Sequence, residues 1–338
     1  MKRKCFCCFL SLCLIFSLCS CKKENLSEKS DGLFGQEQQV INPFTGEIMA
    51  NQKAQLRPVG VVINNLNSAQ KVQTGVAAAD IVYETEVEGG ITRLLAIYKD
   101  IEEASEFGSI RSARVVFASL AQSHGAIFVH HGIDPNYAAP YILKNKITDF
   151  DTNKKPASAY AYRKNNSMSS EHTVYSSYEL LNEGFKKNSI ATTALDNKPW
   201  CLFTQSQRIP SEGVAANISV RFSGSYISLF TFDAASGFYI KTSKKFKNSD
   251  YVTKQAYYFK NVFVLKTDIS LYPDGVHREV SLSGGEGYYF SLGGYEKIFW
   301  EKREDAPITF FSLDGQQLQV NKGNSWVCIA KAFKPEPA

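Results

Sequence analysis

Gly89-Gly90 stands between two runs, Ile81 to Glu88 and Ile91 to Tyr98, that are rich in β-branched, aromatic and aliphatic residues. Paired glycines supply the positive φ that tight hairpin turns require, so the segment reads as two antiparallel strands. With a two-residue loop, Glu88 faces Ile91, Glu86 faces Arg93 and Glu84 faces Leu95. Alternation then places Glu84, Glu86, Glu88 and Arg93 on one side, and Tyr83, Thr85 and Val87 on the other. Carboxylates spaced by about 7 Å lie within a Debye length of each other, so this face calls for cations or open water.

The remaining punctuation divides the chain into two regions. Residues 41–190 mix strands and helices: a buried strand at Val59 to Ile63, a helical pattern from Ser112 to His124, and a strand at Ala126 to His130. A helix follows from Asn136 to Asn145, and Ser176-Ser177-Tyr178-Glu179 is a capping box opening another that runs to Lys187. Residues 198–333 read as β, with segments such as Ile218 to Phe222, Tyr226 to Phe232, Tyr257 to Leu265 and Ser325 to Ile329 separated by turn signals, among them Pro273-Asp274-Gly275. The expected class is α+β: a mixed N-terminal domain followed by an antiparallel β-rich domain. Hydrophobic residues at 44% and charged residues at 21% exclude wholesale disorder, and 23 phenylalanines with 17 tyrosines suit pleated sheet.

Residues 1–20 carry an address rather than a fold. Lys2-Arg3-Lys4 is a positive start, and the apolar stretch from Cys5 to Ser20 is short for a membrane span. Leu18-Cys19-Ser20-Cys21 resembles the lipobox of bacterial lipoproteins, which implies cleavage before Cys21 and its diacylation. The alternative is an ordinary signal peptide with a chance cysteine. Two acyl chains hold a protein stably on a membrane, so the expected location is the extracytoplasmic face of the cell membrane. Residues 21–40 then form a polar tether with a reach of roughly 25 Å. Loss of Lys2, Arg3 and Lys4 takes Lys and Arg from 38 to 35 against 33 Asp and Glu, a net charge of +2 in place of +5, so bulk charge indicates no nucleic-acid partner. Of eight cysteines, only Cys201 and Cys328 lie beyond residue 21; each sits in an apolar run and reads as a free, buried small hydrophobe.

Candidate functional side chains gather near Gly108-Ser109-Ile110-Arg111-Ser112-Ala113-Arg114. Arg111 and Arg114 flank a helix start, where free N–H groups and two guanidinium forks make a notch for an anion. The competing account is a structural network joining this helix to the glutamates of the hairpin. His130, His131 and Asp134 follow a buried strand; adjacent strand residues point oppositely, so no shared metal is expected. His130 and His172 are candidates for a general base without a nucleophile beside them in sequence. No glycine-rich phosphate loop, G-x-S-x-G elbow, zinc-protease helix motif or paired C-x-x-C occurs, so no cofactor is implied.

Asn42-Pro43-Phe44-Thr45-Gly46, Arg57-Pro58-Val59-Gly60-Val61, Ala79-Asp80-Ile81-Val82-Tyr83-Glu84, Val87-Glu88-Gly89-Gly90-Ile91-Thr92-Arg93, the Gly108 to Arg114 segment and Asn321-Lys322-Gly323-Asn324-Ser325-Trp326 occur in this order. Together they resemble the YerB-like lipoprotein family of bacteria, a family of unknown function, over nearly the whole chain beyond residue 21. The resemblance implies a layered sheet-and-helix N-terminal domain and a β-rich C-terminal one, without a catalytic assignment. Where the family has Val-His-Ala-Gly this chain has Val129-His130-His131-Gly132, which argues against a paired-histidine metal site. Where the family has Pro-His-Asn before a tyrosine, this chain has Glu171-His172-Thr173-Val174-Tyr175, so His172 and Tyr175 carry over and the asparagine does not. The binding set read from the sequence is therefore Arg93, Arg111, Arg114, Glu84, Glu86, Glu88, His130 and His172. The leading expectation is a lipid-anchored protein that binds an anionic or polar envelope ligand through this face. The alternatives are an envelope enzyme acting on a phosphate-bearing cell-wall or lipid-linked substrate, and a module for a protein partner.

Overall fold

Val59–Asn64 is buried along its whole length, and its Val-Gly-Val-Val-Ile core gives apolar side chains to both faces of a sheet. In the computed structural model, which describes residues 39–333 except 166, 195 and 243–247, this strand belongs to a mixed sheet of eleven strands. The expected signal segment, the lipidated Cys21 and most of the tether lie outside the described residues. The described residues fall in one compact unit, Gln38–Ala338. They are mostly strands with few helices, a mixed, β-rich fold.

From one edge the sheet runs Gly213–Val214, Gly294–Glu301, Gly284–Ser291, Asn261–Lys266, Ser325–Ala330, Ile81–Glu86, Thr92–Tyr98, Val59–Asn64, Ile127–His130 and Asp149–Asp151, with Thr309–Phe311 also on Gly294–Glu301. Strands from both sequence regions therefore share one ladder. Ser325–Ala330 sits at their junction and pairs in parallel with Asn261–Lys266 on one side and Ile81–Glu86 on the other, Cys328 lying opposite Glu84. This differs from the antiparallel expectation for the C-terminal strands. A strand buried on both faces, as Ser-Trp-Val-Cys-Ile-Ala is, carries no alternation to announce its direction.

Two cores flank the sheet. On one face lies a four-stranded antiparallel sheet of Asn217–Arg221, Ile227–Asp233, Phe238–Thr242 and Tyr258–Phe259, whose inward residues Ile218, Val220, Phe230 and Tyr239 are buried. Four α-helices are present among the described residues: α1 (Asn51–Ala54), α2 (Val115–Ser123), α3 (Ala138–Lys144) and α4 (Tyr178–Lys187). Leu181 and Phe185 of α4 join the first core, whereas Phe117 and Leu120 of α2 and Ile142 of α3 join the second with Trp200 and Phe310. The cap of α4 is one residue later than its sequence suggests. Ser177 accepts from the Leu180 N–H at 3.3 Å, while Ser176 lies within the strand Val174–Ser177 and donates to the Tyr160 carbonyl at 2.7 Å.

The glycine hairpin also departs from its expected register. Val87 bonds Ile91 across a three-residue turn, Glu88–Gly90, in which Gly89 and Gly90 take φ of 67° and 70°. Arg93 consequently lies opposite Thr85, Glu84 opposite Leu94 and Glu86 opposite Thr92. One residue of slip moves Arg93 to the opposite face from Glu84 and Glu86, so the expected single charged face does not form. Both Cys201 and Cys328 are free and buried.

Candidate functional site: an arginine cluster at the start of α2

The altered register brings Arg93 to the face that carries α2. Its side chain is buried, donates to the Ser112 carbonyl at 3.0 Å and meets Glu88 Oε2 at 3.4 Å. Arg114, the residue before α2, reaches the other oxygen of the same carboxylate through Nε and its own chain neighbour, the Ala113 carbonyl, through a terminal nitrogen at 2.6 Å. Arg111 is held from a third side by the Glu171 carbonyl at 2.7 Å, with the exposed Glu171 carboxylate at 3.6 Å. Glu88, in the hairpin turn, is thus the half-buried carboxylate that Arg93 and Arg114 share.

The energetics follow from that crowding. Burial pulls the Arg93 guanidinium down to about 9, and the charges of Arg114 and Arg111 add to the fall while Glu88 opposes it. Burial pushes the Glu88 carboxyl up, yet the Arg114 hydrogen bond and the charges of Arg93 and Arg114 outweigh it and hold the group below the ordinary range. Helix α2 itself has no acidic residue in its first turn and no side-chain cap, so its positive end is not neutralised from within.

The C-terminal region supplies residues that the sequence reading did not connect with this site. Ile269–Leu271 and Arg278–Val280 form a hairpin whose connecting segment reaches it. His277 Nε2 lies 3.6 Å from Glu88 and 3.8 Å from Asp134, and His277 Nδ1 lies 2.6 Å from Asp274. Tyr272 stacks on Tyr137 with ring centres 4.0 Å apart, and Arg278 pairs with Glu86 at 2.7 Å. The turn signal Pro273-Asp274-Gly275 marks the tip in the sequence, but nothing in it says which distant loop the tip meets.

Of the sequence-derived set, Arg93, Arg111, Arg114 and Glu88 come together, and His172 lies beside Arg111, its Nδ1 2.6 Å from the Asn64 amide. Burial lowers His172, with Arg111 adding to the effect against Glu171. Glu84, Glu86 and His130 are elsewhere. Glu84 is buried on the opposite face among Asn65, Thr92, Ser228 and Trp326. Glu86 is taken by Arg278. His130 is buried with Nδ1 on the Gly132 carbonyl at 2.9 Å and Nε2 3.3 Å from Asp149. His131 bonds Thr152, and Asp134 accepts N–H groups of Asn136, Tyr137 and Ala138 at the start of α3.

Comparison with known proteins agrees with this architecture. Residues 44–191 match the family described as "Protein of unknown function (DUF3048) N-terminal domain", and residues 218–327 match its C-terminal domain. The chain is 26% identical over 324 residues to "Putative lipoprotein YerB" of Bacillus subtilis (strain 168), an alignment covering 94% of this chain and 93% of that protein. The crystal structure of the YerB protein from Bacillus subtilis superposes with a TM-score of 0.75 at 26% identity, covering 87% of this chain and 97% of the other. No helix among the described residues is long and apolar enough to cross a membrane. Family models for both regions, in the order and over the segments where the fold joins them, lead to one conclusion: the chain belongs to the YerB-like family of unknown function.

Proposed function

We propose that this protein is anchored by lipid on Cys21 at the extracytoplasmic face of the cell membrane and binds an anionic ligand at the arginine cluster before α2. The layered sheet-and-helix region would present the site, and the β-rich region would close it with the hairpin that carries His277 and Arg278. The observation that carries this reading is the convergence of Arg93, Arg111 and Arg114 at the uncapped start of α2, with the half-buried Glu88 shared by Arg93 and Arg114. Arg111 holds a side-chain carboxylate only loosely, at 3.6 Å from an exposed Glu171, so a phosphate-like ligand displaces that contact at little cost. The signal-like start and the lipobox at Cys21 support the address, as does the printed name of the Bacillus subtilis relative.

Thermal unfolding of the full-length protein with and without inorganic pyrophosphate tests the reading, beside Arg111→Ala. At about 100 times its dissociation constant the ligand adds roughly 2.7 kcal/mol to wild-type stability and much less to the variant. Equal shifts in both proteins, or none in either, contradict it.

A further inference from the structure

A cavity of about 460 Å³ opens beside the C-terminal end of α2, at the other end of that helix from the arginines. Its size suits a small molecule. The buried part of its wall is Pro43, Phe44, Pro58, Ser123, His124 and Trp200, and Pro199 and Pro307 continue it toward solvent. Prolines fix the backbone and offer no N–H, so this wall is rigid, apolar and poor in main-chain donors.

Ser123 spends its hydroxyl on the Leu120 carbonyl at 2.8 Å, which leaves His124 as the polar exception on that wall. It is only 8% exposed, and its Nε2 shares a 2.7 Å hydrogen bond with the Tyr83 hydroxyl. Phe44 meets the imidazole edge-on at 5.3 Å and Trp200 lies 5.7 Å away, which fixes the ring. Whichever of Tyr83 and His124 donates, His124 Nδ1 is left buried without a partner. Burial takes the imidazole down to about 3, so the ring is neutral and presents either one donor or one acceptor. The unpartnered Nδ1 belongs to a side chain that lines the cavity, and an unsatisfied buried polar atom calls for a ligand group or water to meet it.

The rim narrows the ligand chemistry. Asp196, Asp305, Thr309 and Gln317 supply oxygen acceptors around the mouth, and the rim cation Lys198 is paired with Asp196 at 3.0 Å. Two carboxylates against one paired lysine disfavour an anion, and an apolar floor disfavours a cation that must shed its water. What remains is an uncharged ring with an apolar face and hydroxyl groups around its edge. We propose that this cavity binds a neutral pyranose ring of a saccharide. The ring lies against the proline and aromatic wall, gives hydroxyl hydrogens to Asp196 and Asp305, and places one polar substituent on His124 Nδ1. This site is separate from the arginine cluster and does not depend on it.

The test is titration of the full-length protein with N-acetylglucosamine and with N,N′-diacetylchitobiose, followed by tryptophan fluorescence and by the ¹⁵N resonances of the His124 ring. Saturable binding that moves the Nδ1 resonance is expected. His124→Phe, which keeps a ring between Phe44 and Trp200, should weaken it about tenfold, the loss of one hydrogen bond. Asp305→Ala alters only the exposed rim, so it reports even where His124→Phe unfolds, and it should weaken binding about threefold. No saturable change with either saccharide up to about 100 mM, or unchanged affinity in Asp305→Ala, overturns the proposal. Indole binding in the absence of saccharide binding overturns it too, assigning the cavity to an aromatic ligand.

Discussion

Glu84 shows how one side chain ties distant parts of the chain together. Its Oε1 accepts from Asn65 at 2.9 Å, Thr92 at 2.9 Å and Ser228 at 2.7 Å, and its Oε2 from Trp326 at 3.0 Å. Lys241, also buried, is lowered by its desolvation, and the Glu84 charge opposes that fall. Its ammonium lies 5.5 Å from the rings of Phe230 and Trp326. Glu84→Ala strips four donors of their acceptor and leaves Lys241 without this counter-charge. Uncompensated buried charge is costly, so urea unfolding should register a loss of about 3–5 kcal/mol. A loss near that of an exposed substitution would mean that water replaces the carboxylate. The sequence places Glu84 on a strand but reads it as one of three equivalent glutamates. Its four partners come from residues 65, 92, 228 and 326, and no local pattern encodes that convergence.

Among the elements, hairpins and helices were legible where local chemistry fixes them, and less so where a single residue sets the register. The glycine pair announces the turn after Glu86. It does not distinguish a two-residue loop from the three-residue loop that forms, because both place glycine at positive φ. That one residue decides which charges meet: it carries Arg93 to the side of α2 and away from Glu84. Helix α4 gives a second case in which packing outweighs local preference. At an open helical site Gly184→Ala would gain up to about 1 kcal/mol. Here the added Cβ meets Phe150 Cζ at 2.6 Å and the Tyr160 ring at 2.8 Å. Pressing a methyl into two packed rings costs about 1–3 kcal/mol, so the substitution should lower the thermal midpoint. A raised midpoint would show that Tyr160 swings aside freely.

At the scale of the molecule, the eleven-stranded sheet brings the residues of the candidate site together. Because Ser325–Ala330 joins Ile81–Glu86 to Asn261–Lys266, the hairpin of residues 269–280 is delivered to Glu86 and to Glu88, the carboxylate that Arg93 and Arg114 share. The composition and turn spacing made the β-rich character visible, and the ordered motifs made the family visible. The parallel pairing was hidden, since a strand apolar on both faces reads alike in either direction. So were His277 and Arg278, which lie more than a hundred residues from the Glu88 and Glu86 carboxylates they meet. The most direct measurement is a crystal structure of the protein grown with inorganic pyrophosphate. The anion is expected within hydrogen-bonding distance of the Arg111 and Arg114 guanidinium groups, at the start of α2, with the Glu171 carboxylate displaced. Pyrophosphate bound elsewhere, or an arginine cluster unchanged at saturating pyrophosphate, would contradict the account and leave these arginines as the internal brace of the fold.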